Sequence, residues 1–261
     1  MSGAELAGKT ALISGVGPGL GRDVALLLAT EGAGVVLAAR RSEVLEAVAA
    51  EVRDLGGKAL CVPTDITVAD DCERVIEAAV AFGGLDVLVN NAFAFGPREK
   101  IADRDIDEWR PAIEVNLLGT VRLSVAAAGV MGDAGGGSIV MINTQAMRRN
   151  HPRRGPYSAS KAALLSASQT LAAELGSRHV RVNSVVPGHV WGPPLQAFFA
   201  TMAEQRGVSP DEVYAEVARG LPLRRIPTGA DVAEAVLFFA SDRSASITGQ
   251  SLDVNGGNWF N

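Results

Sequence analysis

The chain has 261 residues, 48% of them hydrophobic and 20% charged, with a formal net charge of −5. This balance suits a globular protein with a large core and argues against general nucleic-acid binding. Cys61 and Cys72 are the only cysteines, which argues against a disulfide framework or a structural zinc site, and no unbroken apolar run reaches the ~18 residues of a membrane span. The start, Met1 to Leu6, lacks the basic end and apolar centre of a signal peptide, so a cytoplasmic protein with reduced thiols is expected. No linker or internal repeat divides the sequence, and one domain over 1–261 is expected.

Thr10 to Ser14 is a short apolar run and predicts a buried strand. Gly15-Val16-Gly17-Pro18-Gly19-Leu20-Gly21 follows, and then a helical pattern through Val24 to Ala29. A strand, a glycine-rich turn and a helix start make an anion cradle: backbone approaches a phosphate closely, and the first helical N–H groups point at it. The same sequence also serves as a plain turn between strand and helix. Gly34 to Ala39 predicts a second strand, ending in Arg40-Arg41, with a helix from Ser42 to about Leu55. In a βαβ dinucleotide site an acidic residue at this strand end holds a ribose 2′-OH, whereas arginine suits a 2′-phosphate. Arg40 and Arg41 therefore favour NADP(H), with NAD(H) as the alternative; solvated arginines are equally common at strand ends.

Lys58 to Val62 predicts the third strand, closed by Pro63-Thr64-Asp65 and Ile66. Thr67-xx-Asp70 matches a capping box and opens a helix to about Phe82. Asp65 either reaches an adenine or is a turn aspartate. Asp86 to Asn91 predicts a fourth strand whose amides can pin a loop or a cofactor. Ile106 to Val130 predicts a long helix interrupted at Pro111 and Gly119, with Asn116 inside its apolar pattern, where its amide needs partners. Gly137 to Ile142 predicts a fifth strand, ending at Asn143-Thr144.

Tyr157 and Lys161 stand four apart, so on a helix both project from one face about a turn apart. A nearby ammonium favours a phenolate, which makes the pair a tuned acid/base for an alcohol oxygen. A ring packed on a lysine stem gives the same spacing. Val180 to Val186 predicts a sixth strand, stopped by Pro187-Gly188. Between Trp191 and Arg225 the helical pattern is broken, with Ser209-Pro210-Asp211-Glu212 as a helix start. A last helix follows Thr228-xx-Asp231, and Ser251 to Val254 predicts a final strand. Strands alternating with helices imply a parallel sheet wrapped on both faces, with ligands at the strands' carboxyl ends.

Taken together, Gly15/Gly19/Gly21, Asn90-Asn91-Ala92, Asn116, Tyr157-xxx-Lys161 and Pro187-Gly188 resemble, in this order, the short-chain dehydrogenase/reductase family. The resemblance covers nearly the whole chain. It implies an α/β fold, a doubly wound parallel seven-stranded sheet of order 3-2-1-4-5-6-7, and hydride transfer between a nicotinamide and a ketone or secondary alcohol. It implies Tyr157 as proton donor or acceptor, Lys161 as the group that lowers its pKa and holds the nicotinamide ribose, and Asn116 as holder of a relay water. The family's serine falls thirteen residues before the tyrosine, and that position is Thr144. Gly15, Gly17, Gly19, Leu20, Gly21, Arg40, Arg41, Asp65, Ile66, Asn91, Ala92, Tyr157, Lys161, Pro187, Gly188 and Val190 are the implied cofactor contacts, with no metal. A homotetramer, or a dimer, is implied, with the small residues Ala159, Ala163, Ser166 and Ala167 permitting close helix packing.

Besides Thr144, two positions depart from the family. Phe93 replaces the glycine usual after Asn90-Asn91-Ala92, either lining the substrate pocket or packing in the core. Gly192 replaces a threonine near the nicotinamide carboxamide. A substrate-covering insertion is expected over about 189–226. Phe93, Met147, Trp191 and Phe198 are the candidate pocket residues for a small carbonyl or alcohol substrate; a helix pair burying Trp191, Leu195, Phe199, Met202 and Tyr214 for itself is the competing reading. The loop with Arg148, Arg149, His151, Arg153 and Arg154 either grips an acidic carrier, as a 3-oxoacyl thioester reductase requires, or is solvated. His189 faces the nicotinamide or is scaffold. A dinucleotide-binding sensor without turnover is the reading from outside the enzyme class.

Overall fold

A computed structural model describes residues 4–103 and 105–260. Met1 to Gly3, part of the stretch read for a signal peptide, lie outside the described residues. The apolar runs form β1 (Thr10–Ser14), β2 (Gly34–Ala39), β3 (Ala59–Pro63), β4 (Val87–Asn90), β5 (Gly137–Ile142), β6 (Val180–Pro187) and β7 (Ser251–Val254). All pair in parallel, in the order β3-β2-β1-β4-β5-β6-β7. Every residue of β1 and β4 is buried. Helices cover both faces of such a sheet, so its central strands read as unbroken apolar runs rather than alternation.

The helices are α1 (Leu20–Thr30), α2 (Ser42–Asp54), α3 (Ala69–Gly83), α4 (Arg110–Ile113), α5 (Thr120–Asp133), α6 (Gly155–Leu175), α7 (Pro193–Arg206), α8 (Pro210–Arg219) and α9 (Gly229–Ala240). Val24, Leu28, Leu45, Val48 and Val236 from α1, α2 and α9 pack with Ile13 and Leu37 in one layer. Val75, Leu123 and Leu164 from α3, α5 and α6 pack with Leu12 and Leu88 in the other. Neighbours Leu12 and Ile13 thus serve opposite layers, as the two-residue period of a strand requires. Each fully buried leucine contributes roughly 1.5–3 kcal/mol.

The stretch from Ile106 is continuous but changes pitch. A 3₁₀ turn (Ile106–Trp109) leads into α4, a π-helical turn (Glu114–Gly119) follows, and α5 completes it. Pro111 sits in the first turn of α4, where its missing N–H costs nothing. By length and composition alone Ile106–Asp133 is apolar enough to cross a bilayer. Its residues Leu123, Ala127 and Met131 instead pack in the second core layer.

Helix starts test the capping signatures. Ser209 and Glu212, and Thr228 and Asp231, form the expected reciprocal boxes. Thr67 does not cap α3. That helix begins at Ala69 after Val68, and the Thr67 hydroxyl and N–H both bond the Asp65 carboxylate, at 2.7 and 3.0 Å. The expected box at Thr67-xx-Asp70 is therefore replaced by a turn in which Asp65 competes successfully for the threonine. At α9, Asp231 also receives two bonds from Arg225, at 2.7 and 2.9 Å. Thr228→Ala is expected to lower stability by about 1 kcal/mol through loss of the cap alone; urea unfolding at neutral pH measures it.

Candidate active site

The carboxyl ends of β1, β4, β5 and β6 form one crevice, and the site is assembled there. Gly15 lies against the end of β4: a Cβ on it would stand 2.3 Å from the Ala92 nitrogen, and its φ is +86°. Only glycine fits. The Asn91 side-chain amide donates to the Gly15 carbonyl at 2.7 Å, so β4 holds the glycine turn from below. Gly17 and Gly19 differ from Gly15 in having open space where a Cβ would be. Gly19 precedes α1 with no side-chain cap, leaving the first N–H groups of α1 turned to that space. This is the geometry that accepts a phosphate. Leu20 and Gly21 begin α1, with Gly21 tight under the Gly15 carbonyl. Arg40 and Arg41 are exposed at the end of β2, and neither has a carboxylate partner among the described residues.

Asp65 is the turn aspartate of the competing reading, its carboxylate engaged by Thr67. Ile66 is buried in the second core layer, and its carbonyl accepts from Arg122 at 3.0 Å. Pro187 ends β6, Gly188 is wedged against Asn255 and Gln145, and Val190 packs on the first core layer. Ser14 Oγ, Asn90 Oδ1 and Asn143 Nδ2, at the ends of β1, β4 and β5, are buried with no hydrogen-bond partner among the described residues. Unpaired buried polar atoms are costly. Three together at adjacent strand ends, beside an open glycine cradle, fit a polar dinucleotide. Ser14 was not among the residues singled out from sequence; a small polar residue ending an apolar run is the signal that points to it.

Lys161 is 2% exposed, and its Nζ donates to the Ile142 carbonyl at 2.7 Å. Burial pushes its pKa down to about 7. Tyr157, one turn earlier, is half-buried, and the Thr144 hydroxyl is near enough to act on its phenol. Burial holds its phenol above the ordinary tyrosine range, while Thr144 and the Arg154 guanidinium pull the other way. The Lys161 ammonium is turned to the β5 carbonyl at Ile142.

Asn116 is fully buried in the π-helical turn. It donates to the Ala94 carbonyl at 2.7 Å and to Ser160 Oγ at 2.9 Å, and accepts from the Ala94 N–H at 2.8 Å. Its amide thus positions the loop after β4 against α6. That loop carries Phe93, which is not a core ring: it is 52% exposed and lies edge-on to Phe95 at 5.0 Å and Tyr157 at 6.3 Å. Phe95, missed from sequence, is closer to Tyr157, at 5.0 Å.

The other pocket candidates divide. Met147 is buried in the 3₁₀ turn after Thr144. Trp191 stacks on Tyr214 at 4.6 Å and Phe199 at 5.6 Å, inside an apolar cluster that α7 and α8 bury between themselves. The ring is half-buried and packs there with Leu195 and Met202, as the helix-pair reading expects. Phe198 is exposed on α7. Gly192 caps α7 in extended backbone that any residue adopts. Arg148 makes a half-buried ion pair with Asp253 at 2.7 Å, and Arg149 donates to Asn258 at 3.2 Å. Arg148 therefore ties the loop to β7 rather than reaching for a carrier.

The family model described as Enoyl-(Acyl carrier protein) reductase matches residues 15–258. The 7alpha-hydroxysteroid dehydrogenase of Escherichia coli strain K12 is 32% identical over 254 residues, 97% of this chain and 95% of that one. The chain belongs to the short-chain dehydrogenase/reductase family. It is an enzyme of that oxidoreductase type. Among solved structures, a 7 alpha-hydroxysteroid dehydrogenase complexed with NADH and 7-oxo glycochenodeoxycholic acid superposes with a TM-score of 0.88, at 32% identity, covering 98% of this chain and 96% of that one. L-Sorbose reductase from Gluconobacter frateurii, complexed with NADPH and L-sorbose, gives 0.91 at 29% identity, covering 98% of both chains.

The buried lysine sets a sign for stability against pH. An unfolded lysine titrates near ~10.4. Between about 7 and that value the unfolded chain holds a proton that folded Lys161 has released, so stability rises with pH across the window. One such group contributes a slope of at most about 1.4 kcal/mol per pH unit. Urea unfolding between about pH 7 and about pH 9 is expected to show a shallower rise for Lys161→Met than for the wild type; equal slopes would contradict the assignment.

Proposed function

We propose that the protein is an NADP(H)-preferring oxidoreductase that interconverts a ketone and a secondary alcohol, with Tyr157 as its acid/base. The observation that carries the reading is the grouping of half-buried Tyr157, the Thr144 hydroxyl just past the end of β5, and buried Lys161 bonded to the Ile142 carbonyl one helical turn on. The turn from Gly15 to Gly21 and the start of α1 would hold the pyrophosphate. Arg40 and Arg41 would take a ribose 2′-phosphate, and two exposed guanidiniums at that strand end, without a carboxylate partner among the described residues, are what favours NADP(H) over NAD(H). Asp65, Ile66, Asn91 and Ala92 would line the adenosine side, and Pro187, Gly188 and Val190 the nicotinamide side. The bound nicotinamide supplies or accepts the hydride.

The chain's own part is the proton. Thr144 and Tyr157 both present a hydroxyl to the substrate oxygen, which fixes the carbonyl or carbinol between them. Burial keeps the Tyr157 phenol protonated at neutral pH. In that state it donates: the proton passes from Tyr157 Oη to the oxygen of the reduced carbonyl. Oxidation requires the phenolate, so it accelerates as pH rises, whereas reduction holds through neutrality. Lys161, against the Ile142 carbonyl, keeps α6 seated and would help hold the nicotinamide ribose. Asn116 is a positioning residue through Ala94 and Ser160. Phe93, with Phe95, forms the ring wall on the substrate side. A homotetramer, in the cytoplasm, is the proposed assembly; exposed Ala159 and Ser166 and half-buried Ala163 and Ala167 on α6, with exposed Val125 on α5, offer a surface for it.

Tyr157→Phe is expected to lower kcat for ketone reduction by about 10²-fold or more, since that is the range general acid catalysis supplies. Calorimetry should find its NADPH affinity little changed, and equal turnover in the variant would refute the role. A second measurement addresses the cofactor. Arg40→Ala combined with Arg41→Ala is expected to weaken NADPH binding by about tenfold or more and to leave NADH nearly unaffected. Tighter NADH than NADPH binding by the wild-type protein would overturn the preference.

A further inference from the structure

The chain is acidic overall, at −5, yet cations gather beside the proton-transfer residues. Arg154 opens α6 three residues before Tyr157 and is half-buried. Its guanidinium lies over the Phe95 ring at 5.1 Å, and that of Arg98 lies over the same ring at 4.5 Å. Neither has a carboxylate partner among the described residues. A cleft of about 200 Å³ is lined on its polar side by Gln145, Arg149, His151, His189 and Asn258, with the end of α8 as its apolar wall. His189 reaches the surface, yet its imidazole is held below the ordinary histidine range, first by desolvation and then by the charges of His151, Arg154 and Arg149. The one carboxylate on this side that the loop's arginines use, Asp253, is paired with Arg148.

Gathering these charges is unfavourable. Arg98 and Arg154 oppose each other, and burial of Arg154 adds a desolvation penalty. Stacking on Phe95 offsets part of this and fixes the guanidinium plane. A guanidinium that stacks on a ring through its face keeps its in-plane N–H donors free, and two of those match the two oxygens of a carboxylate.

We propose that the substrate of this enzyme carries a carboxylate close to its reacting carbonyl, held by Arg154 with Arg98 behind it while Tyr157 and Thr144 hold the carbonyl oxygen. The inference rests on the oxidoreductase reading above and names the substrate class for it: oxo acids and their hydroxy-acid counterparts. A small acid is favoured over a carrier-bound thioester because a single ring separates the two groups: the Arg154 guanidinium is 5.1 Å from the centre of Phe95, and that ring is 5.0 Å from the ring of Tyr157. The anion it binds is therefore a few bonds from the reacting carbon, not at the far end of a carrier arm. Phe93 and Phe95 supply the apolar wall along the intervening carbons.

Matched probes test this. The wild-type protein with NADPH, and with NADH, is offered 4-oxopentanoate, 5-oxohexanoate and 3-oxocyclohexanecarboxylate, each beside its methyl ester. At least one acid is expected to exceed its ester in kcat/KM by about tenfold or more, mainly through KM. The reading is the acid-to-ester ratio, because any effect of Arg154 on Tyr157 itself changes both probes alike and cancels. Arg154→Met should bring that ratio to near unity, Arg98→Met should lower it less, and Arg154→Lys should restore part of it, with circular dichroism confirming that each variant folds. Esters reduced as well as acids by the wild type, or a ratio unmoved in Arg154→Met, overturns the carboxylate site and leaves the oxidoreductase reading standing. No turnover of any acid or ester with either nicotinamide overturns both.

Discussion

Everything at the crevice depends on one buried amine. Lys161 faces no carboxylate among the described residues; its ammonium is bonded to the carbonyl that ends β5. An isolated charge in such a place is costly, and the cost is borne only because the bond fixes α6 against the sheet. With α6 seated, Tyr157 lies one turn away at the strand's mouth, and Thr144, two residues beyond Ile142, meets it. Ser160 on the same helix takes the Asn116 amide, which in turn clamps Ala94. One helix docking therefore sets the acid, its hydroxyl partner and the aromatic wall beside them.

The sheet contributes strain of a different kind. Ser14, Asn90 and Asn143 each leave a buried polar atom unmatched at neighbouring strand ends. Well-packed proteins pair such atoms elsewhere, as Ser124, Ser138 and Asn183 do here. Their concentration at the crevice, next to a glycine turn pressed against β4, separates a binding surface from ordinary core. The π-helical turn at Glu114–Gly119 belongs to the same economy: it lets the helix approach the Ile66 carbonyl, where a side chain at Gly119 would collide.

Much of this was legible in the residue order. The seven strands were readable because parallel strands buried on both faces must be apolar throughout. The ordered set of glycines, Asn116, Tyr157 and Lys161 indicated the family before any geometry was known. Legibility failed where two interpretations share one local pattern. Thr67-xx-Asp70 and Thr228-xx-Asp231 look alike, yet only the second forms a cap, because Asp65 stands two residues before Thr67 and captures it. Trp191 carries the same apolar signal whether it lines a pocket or packs on Tyr214 and Phe199; the α7–α8 pair took it.

The sequence by itself determined the alternation of strand and helix and the crevice at the strand ends, because these follow from periodicity, and its ordered motifs indicated the family. The tertiary structure alone decided what each charge does. Arg148 and Arg154 lie six apart in one loop. The first neutralises Asp253 on β7, and the second lies over Phe95 beside Tyr157 with no counter-charge among the described residues. Their partners come from segments 105 and 59 residues away along the chain. Pairing across that distance is set by how the sheet folds, and no local pattern records it.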